Sequence, residues 1–113
     1  MSAITTHILD TSRGRPAAGV EVRLARLDGE DWSTLGSDTT DADGRVRELL
    51  DPNQPLITGT YRLHFEIGDY FRELGVAAFY PFAQIVFRVR DSRQHYHVPL
   101  LLNPFGYSTY RGS

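Results

Sequence analysis

The sequence predicts an all-β fold, an antiparallel β-sandwich of about eight short strands with one short helix. Three observations carry that expectation. Apolar and polar residues alternate with period 2 through most of the chain, the mark of strands with one buried face. Gly, Pro, Asp and Asn clusters interrupt these runs at intervals of roughly ten residues. Only residues 69–74 offer a helical pattern, and so short a helix has to rest on tertiary packing.

Each element follows from its residues. Residues 3–10, rich in Ile and Thr, set Ile4, Thr6 and Ile8 on one face of a strand and Thr5, His7 and Leu9 on the other. Turn formers fill residues 11–16, and residues 20–27 then alternate Val20, Val22 and Leu24 against Glu21, Arg23 and Ala25. Residues 32–40 make a weaker strand, ended by Asp41-Ala42-Asp43-Gly44, whose Asx and Gly residues suit a turn with positive φ. Beyond a loop containing Pro52 and Pro55, residues 60–67 point Tyr61, Leu63, Phe65 and Ile67 inward and Arg62, His64 and Glu66 outward. Asp69 is the expected helix N-cap and Gly75 the stop. Residues 83–90, 95–102 and 107–110 complete the strands, the last two separated by Asn103-Pro104-Phe105-Gly106.

Composition narrows the function. A chain of 113 residues suits one domain, residues 1–113, with a real core. A formal charge of -2 supplies no field for phosphate backbones or anionic lipid, so neither nucleic acid nor membrane is an expected partner. All 12 basic residues are Arg, a pattern that either genome composition or a need for planar donor forks explains. Without cysteine there is no disulfide, thiolate or sulfur-ligated metal chemistry, which fits a reducing cytoplasm. No secretory signal or membrane span is legible.

No standard catalytic motif is present, so activity has to come from scattered residues. His64 falls among Arg62 and Glu66 on the outward face and reads as a solvated surface residue. His95 and His97 share a face, a spacing open to two-point metal ligation, but a zinc site needs three or four ligands and no further cluster is evident. Taken alone, His7 reads sooner as a strand histidine with a satisfied hydrogen bond than as a catalyst, and Arg45 as a solvated turn arginine. The C-terminus is unusual, because Tyr107 to Ser113 carries two aromatics where unattached ends are commonly small and polar.

Several separated motifs, in order, resemble the transthyretin-like 5-hydroxyisourate hydrolases over nearly the whole chain. His7-Ile8-Leu9-Asp10, Gly14-Arg15-Pro16-Ala17 and Val20-Glu21-Val22 resemble the family's opening, and residues 40–45 its Asp-x-Asp-Gly-Arg turn. The ending is more specific: residues 95–103 and the closing Tyr110-Arg111-Gly112-Ser113 resemble the signature that separates the hydrolases from the hormone-carrying transthyretins. The resemblance implies a transthyretin-type sandwich and a homotetramer, a dimer of dimers with active sites between the dimers. It implies a reaction without cofactor or metal, opening the lactam ring of 5-hydroxyisourate to 2-oxo-4-hydroxy-4-carboxy-5-ureidoimidazoline in urate breakdown. By position, it implies a polar catalytic set of His7, Arg45, His97 and Ser113, with Arg45, Tyr110, Arg111 and Gly112 binding substrate and His95 a neighbour.

The chemistry of that set is consistent with the reaction. Lactam opening needs a proton taken from water, charge stabilised on the carbonyl oxygen and a proton returned to nitrogen. Histidine titrates near neutrality, and arginine can fork to carbonyl oxygens while staying charged. The rival expectation is a small-molecule carrier, since the same sandwich hosts both and fold does not fix function. Apolar or aromatic Val98, Leu100, Leu102, Tyr107 and Tyr110 are expected to exceed what one small sandwich can cover, which favours assembly.

Overall fold

The computed structural model describes residues 2–113. Among these the strands are β1 (Ile4–Asp10), β2 (Arg15–Pro16), β3 (Glu21–Asp28), β4 (Asp31–Thr39), β5 (Arg45–Val46), β6 (Gly59–Phe65), β7 (Ala83–Val89), β8 (Tyr96–Asn103) and β9 (Gly106–Thr109). One helix, α1 (Ile67–Glu73), lies between β6 and β7. The strands form two sheets, one in the order β2-β1-β8-β9 with β5 also paired to β1, the other β4-β3-β6-β7.

Inward residues of both sheets meet in one core. Ile4 and Ile8 of β1 join Val98, Leu100 and Leu102 of β8, and these face Val22 and Leu24 of β3 and Tyr61, Leu63 and Phe65 of β6. Each buried side chain of this size contributes about 1.5–3 kcal/mol by leaving water. The alternation read from the sequence therefore holds on β1, β6 and β8. On β3 it slips at Ala25, which is buried on the outward side, next to the point where the register with β4 shifts between Leu24 and Ala25.

The fold corrects four expectations. First, the sandwich is antiparallel except for one pair: β1 runs parallel to β8, from Ile4 opposite Tyr96 to Asp10 opposite Leu102. A parallel pair needs a long crossover, here supplied by the whole opposite sheet. Second, α1 begins at Ile67, with Glu66 at the N-cap and no side-chain capping bond, so Asp69 sits in the first turn instead. Gly75 is the expected stop: its N–H donates to the Arg72 carbonyl and that of Val76 to the Phe71 carbonyl, closing the last turn. Third, Val98, Leu100 and Leu102 are covered within their own chain. They supply no apolar surface for assembly, whereas Phe79, Val86, Phe105, Tyr107 and Tyr110 are exposed.

The fourth correction is His64. It points away from the core as period 2 requires, yet it is only 8% exposed. Phe82 stacks on its ring at 4.9 Å, Nε2 meets Glu66 Oε1 at 2.6 Å, and the Gln84 side-chain amide reaches Nδ1 at 3.0 Å. The neighbouring strand β7 and the loop before it roof this face, which strand periodicity cannot show. No described helix is long and apolar enough to cross a membrane.

Candidate active site

The site is assembled on the outer face of the sheet that contains β1. Odd-numbered residues of β1 face outward here, bringing Thr5 and His7 to one side. The parallel register sets Thr5 opposite His97 and His7 opposite Pro99. On the other flank β5 pairs with β1 so that Arg45 lies opposite His7.

The turn before β5 fixes Arg45 in place. Asp41 Oδ1 accepts hydrogen bonds from the backbone N–H groups of Asp43 and Arg45, at 2.9 and 3.0 Å. The Arg45 N–H is the chief reason that the Asp41 carboxyl is held below its usual range. Gly44 turns the chain at φ +74°, and a Cβ there would lie 2.4 Å from the Ile8 carbonyl oxygen. Its own carbonyl accepts from the Ile8 N–H at 2.8 Å, which stitches the turn to β1.

From the opposite side the C-terminal residues fold back on β8. The Gly112 N–H donates to the His97 carbonyl at 2.8 Å, an antiparallel bridge beyond the end of β9. Only a glycine permits this approach, because a Cβ on residue 112 would sit 2.6 Å from His97 Cδ2. Arg111 anchors the segment, with its guanidinium 4.5 Å from the Tyr96 ring centre and hydrogen bonds to the Gln94 side chain and the His95 carbonyl.

The result is an open cleft of about 460 Å³ lined by Thr5, Thr6, Arg45, Val46, Arg47, His95, His97 and Ser113. Three of the four expected catalytic residues, Arg45, His97 and Ser113, line it directly. His7 flanks it, near enough for its charge to act on His97. Burial first, then the Arg45 guanidinium, push both His97 and His7 below the ordinary histidine value of 6.5. The Asp43 backbone, accepting a hydrogen bond from His7, opposes this in part. Both imidazoles are therefore neutral at neutral pH, and Arg45 supplies fixed positive charge beside them.

Of the expected binding residues, Gly112 reaches the histidines, but Tyr110 and Arg111 do not line this cleft within one chain. They border a separate cavity of about 320 Å³ between the sheets, with Ile85, Phe87, Tyr96 and Val98. Four cleft residues, Thr5, Thr6, Val46 and Arg47, escaped the sequence reading, and two of them carry polar groups on the cleft side. Thr5 shares the His7 face of β1, and Arg47 shares the alternation of Arg45 and Val46. Both signals were present, but nothing along the chain says that β8 lies beside Thr5.

Fold and cleft together define a β-sandwich with imidazole, guanidinium and hydroxyl side chains gathered in one open cleft. The chain belongs to the HIUase/Transthyretin family, whose sequence profile matches residues 4–112. It is 52% identical over 117 residues to the 5-hydroxyisourate hydrolase of Caulobacter vibrioides, covering 100% of both chains. Among solved structures it resembles Klebsiella pneumoniae 5-hydroxyisourate hydrolase, at a TM-score of 0.84 and 42% identity over 97% of this chain and 92% of that one. Sea bream transthyretin in complex with thyroxine superposes at a TM-score of 0.92, with 29% identity over 98% of this chain and 95% of that one.

Proposed function

We propose that the protein hydrolyses 5-hydroxyisourate, opening its lactam ring as a step of urate breakdown. The observation that carries the reading is the cleft, where His97, with His7 at its flank, stands beside a permanently charged Arg45 that helps to keep both rings neutral, at the point where Gly112 and Ser113 fold back. A carrier for an apolar ligand has no use for Arg45, Arg47, His95 and His97 in its lining, and identity to the hydrolases exceeds identity to sea bream transthyretin.

In this mechanism His97 takes a proton from water as the hydroxide forms its bond to the lactam carbonyl carbon. Negative charge develops on the carbonyl oxygen, where the Arg45 guanidinium can fork to it without desolvation of a new ion. The imidazolium then returns its proton to the leaving nitrogen as the C–N bond breaks, so the enzyme ends as it began. His7 orients the substrate, and Ser113 offers a hydroxyl to hold water or His97. Arg111 secures the segment that delivers them, with Tyr110 beside it. No metal or cofactor takes part, and residues 1–113 act as one hydrolase domain.

The active assembly in this proposal is a cytoplasmic homotetramer with clefts closed where dimers meet. The openness of the cleft in one chain and the exposed Phe79, Phe105 and Tyr110 support it. Light scattering is expected to give about four times the 12.8 kDa chain mass. The functional test is the loss of ultraviolet absorbance from freshly generated 5-hydroxyisourate. Decay no faster with protein than without it would end the hydrolase reading.

A further inference from the structure

Thr5 occupies a position that the reaction above leaves without a task. Its side chain is 4% exposed, and it is held directly opposite His97 by the parallel register of β1 and β8. Its Oγ1 lies 2.8 Å from His97 Nδ1 and 3.1 Å from His95 Nε2. The two rings lie nearly parallel, 15° apart with centroids separated by 6.5 Å, so one hydroxyl bridges both.

A hydroxyl has one proton to give and lone pairs to accept with. The two rings are the partners of this hydroxyl, so its proton goes to one of them and the other has to present N–H to it. Two directions exist. If Thr5 donated to His97 Nδ1, the His97 proton would sit on Nε2 and no lone pair would remain for water. If His97 Nδ1–H donates to Thr5, and Thr5 donates to His95 Nε2, the Nε2 lone pair of His97 is bare. The cations Arg45 and Arg47, which line the cleft with His97, favour a lone pair there over an N–H dipole.

We propose that Thr5 is a positioning residue that accepts from His97 Nδ1–H and donates to His95 Nε2, locking His97 as the tautomer whose Nε2 serves the cleft. The inference rests on the reading of His97 as general base. When Nε2 takes the proton from water, the Nδ1–H bond to Thr5 becomes charge-assisted and tightens, so Thr5 also supports the imidazolium. Thr5 itself neither gains nor loses a proton in the cycle.

The test combines nitrogen-resolved NMR of the imidazoles with turnover, at a pH well above the ordinary histidine value of ~6.5. The full-length protein is expected to show His97 protonated at Nδ1 and His95 carrying a bare Nε2. In Thr5→Val, which keeps the side-chain shape and removes the hydroxyl, the His97 proton is expected to move to Nε2. Turnover should then fall about 10- to 100-fold through kcat, the scale of a misplaced catalytic group, with KM nearly unchanged. Thr5→Ser is expected to restore both tautomer and rate, and matched melting curves separate this from loss of fold. An unchanged His97 tautomer in Thr5→Val, an unchanged kcat, or a Thr5→Ser protein that folds but behaves like Thr5→Val would each overturn the proposal. The NMR arm needs no substrate, so a wild-type protein with the expected tautomers but no effect on 5-hydroxyisourate would overturn the hydrolase reading instead.

Discussion

Replacing Gly112 by Ala places a single methyl group where the C-terminal segment crosses the His97 ring. The Cβ would lie 2.6 Å from His97 Cδ2 and 3.3 Å from both His97 Cγ and Pro99 Cγ. Carbon atoms pack at about 3.5–4.0 Å, so the ring or the terminal segment has to move by about 1 Å. Pro99 lies within the core-bearing strand β8 and cannot give way as easily as the imidazole or the chain end. A shift of this size in a catalytic group costs about a hundredfold, equivalent to about 2.7 kcal/mol in the barrier. Global stability should change by less than about 1 kcal/mol, because residue 112 contributes one bridge at the chain end and little apolar burial. The assay is the decay of fresh 5-hydroxyisourate absorbance, with thermal melts and light scattering on the same samples. Wild-type turnover from a folded Gly112→Ala protein would show that the His97 geometry does not depend on the terminal segment, and the reasoning would fail.

Three further outcomes are expected. Because His97 and His7 are held below 6.5, kcat/KM should fall on acidification with a midpoint below that value, and Arg45→Gln should move the midpoint back toward it. The same shifts make the unfolded chain bind more protons than the folded one just below pH 6.5, so stability should also drop as pH falls through that window. A midpoint at or above 6.5 contradicts the assignment. His97→Ala should lower kcat by roughly 10²–10⁴ through loss of general-base help, whereas His64→Ala should leave turnover alone and destabilise the fold by about 1–3 kcal/mol by unpacking a buried, hydrogen-bonded ring. Equal turnover losses from both would mean that the face assignment is wrong. A C-terminal extension should sharply reduce turnover while an N-terminal one does not, since Ser113 lines the cleft; equal activity of the two forms would make the terminus dispensable.

Local chemistry made much of this protein readable from its residues. Period-2 alternation placed Ile4, Ile8, Leu63 and Leu100 inside, and it set Thr5 and His7 together on the opposite face of β1. The Asp41-to-Gly44 turn was legible because Asp caps neighbouring N–H groups and glycine tolerates positive φ. Those signals depend on residues a few positions apart, so the chain carries them without help from its fold. The resemblance of the separated motifs added the residues His7, Arg45, His97 and Ser113 as a set. The tertiary structure alone decided the arrangement of that set. The parallel pairing of β1 with β8 brings Thr5 against His97 across 92 positions of sequence, and no periodicity encodes which strand becomes whose neighbour. The burial of His64 came from β7 and the Phe82 loop closing over an outward face, and the need for glycine at residue 112 from a chain end lying against an imidazole. In each case the deciding contact joins segments distant in sequence, and its existence depends on the packing of the whole sandwich.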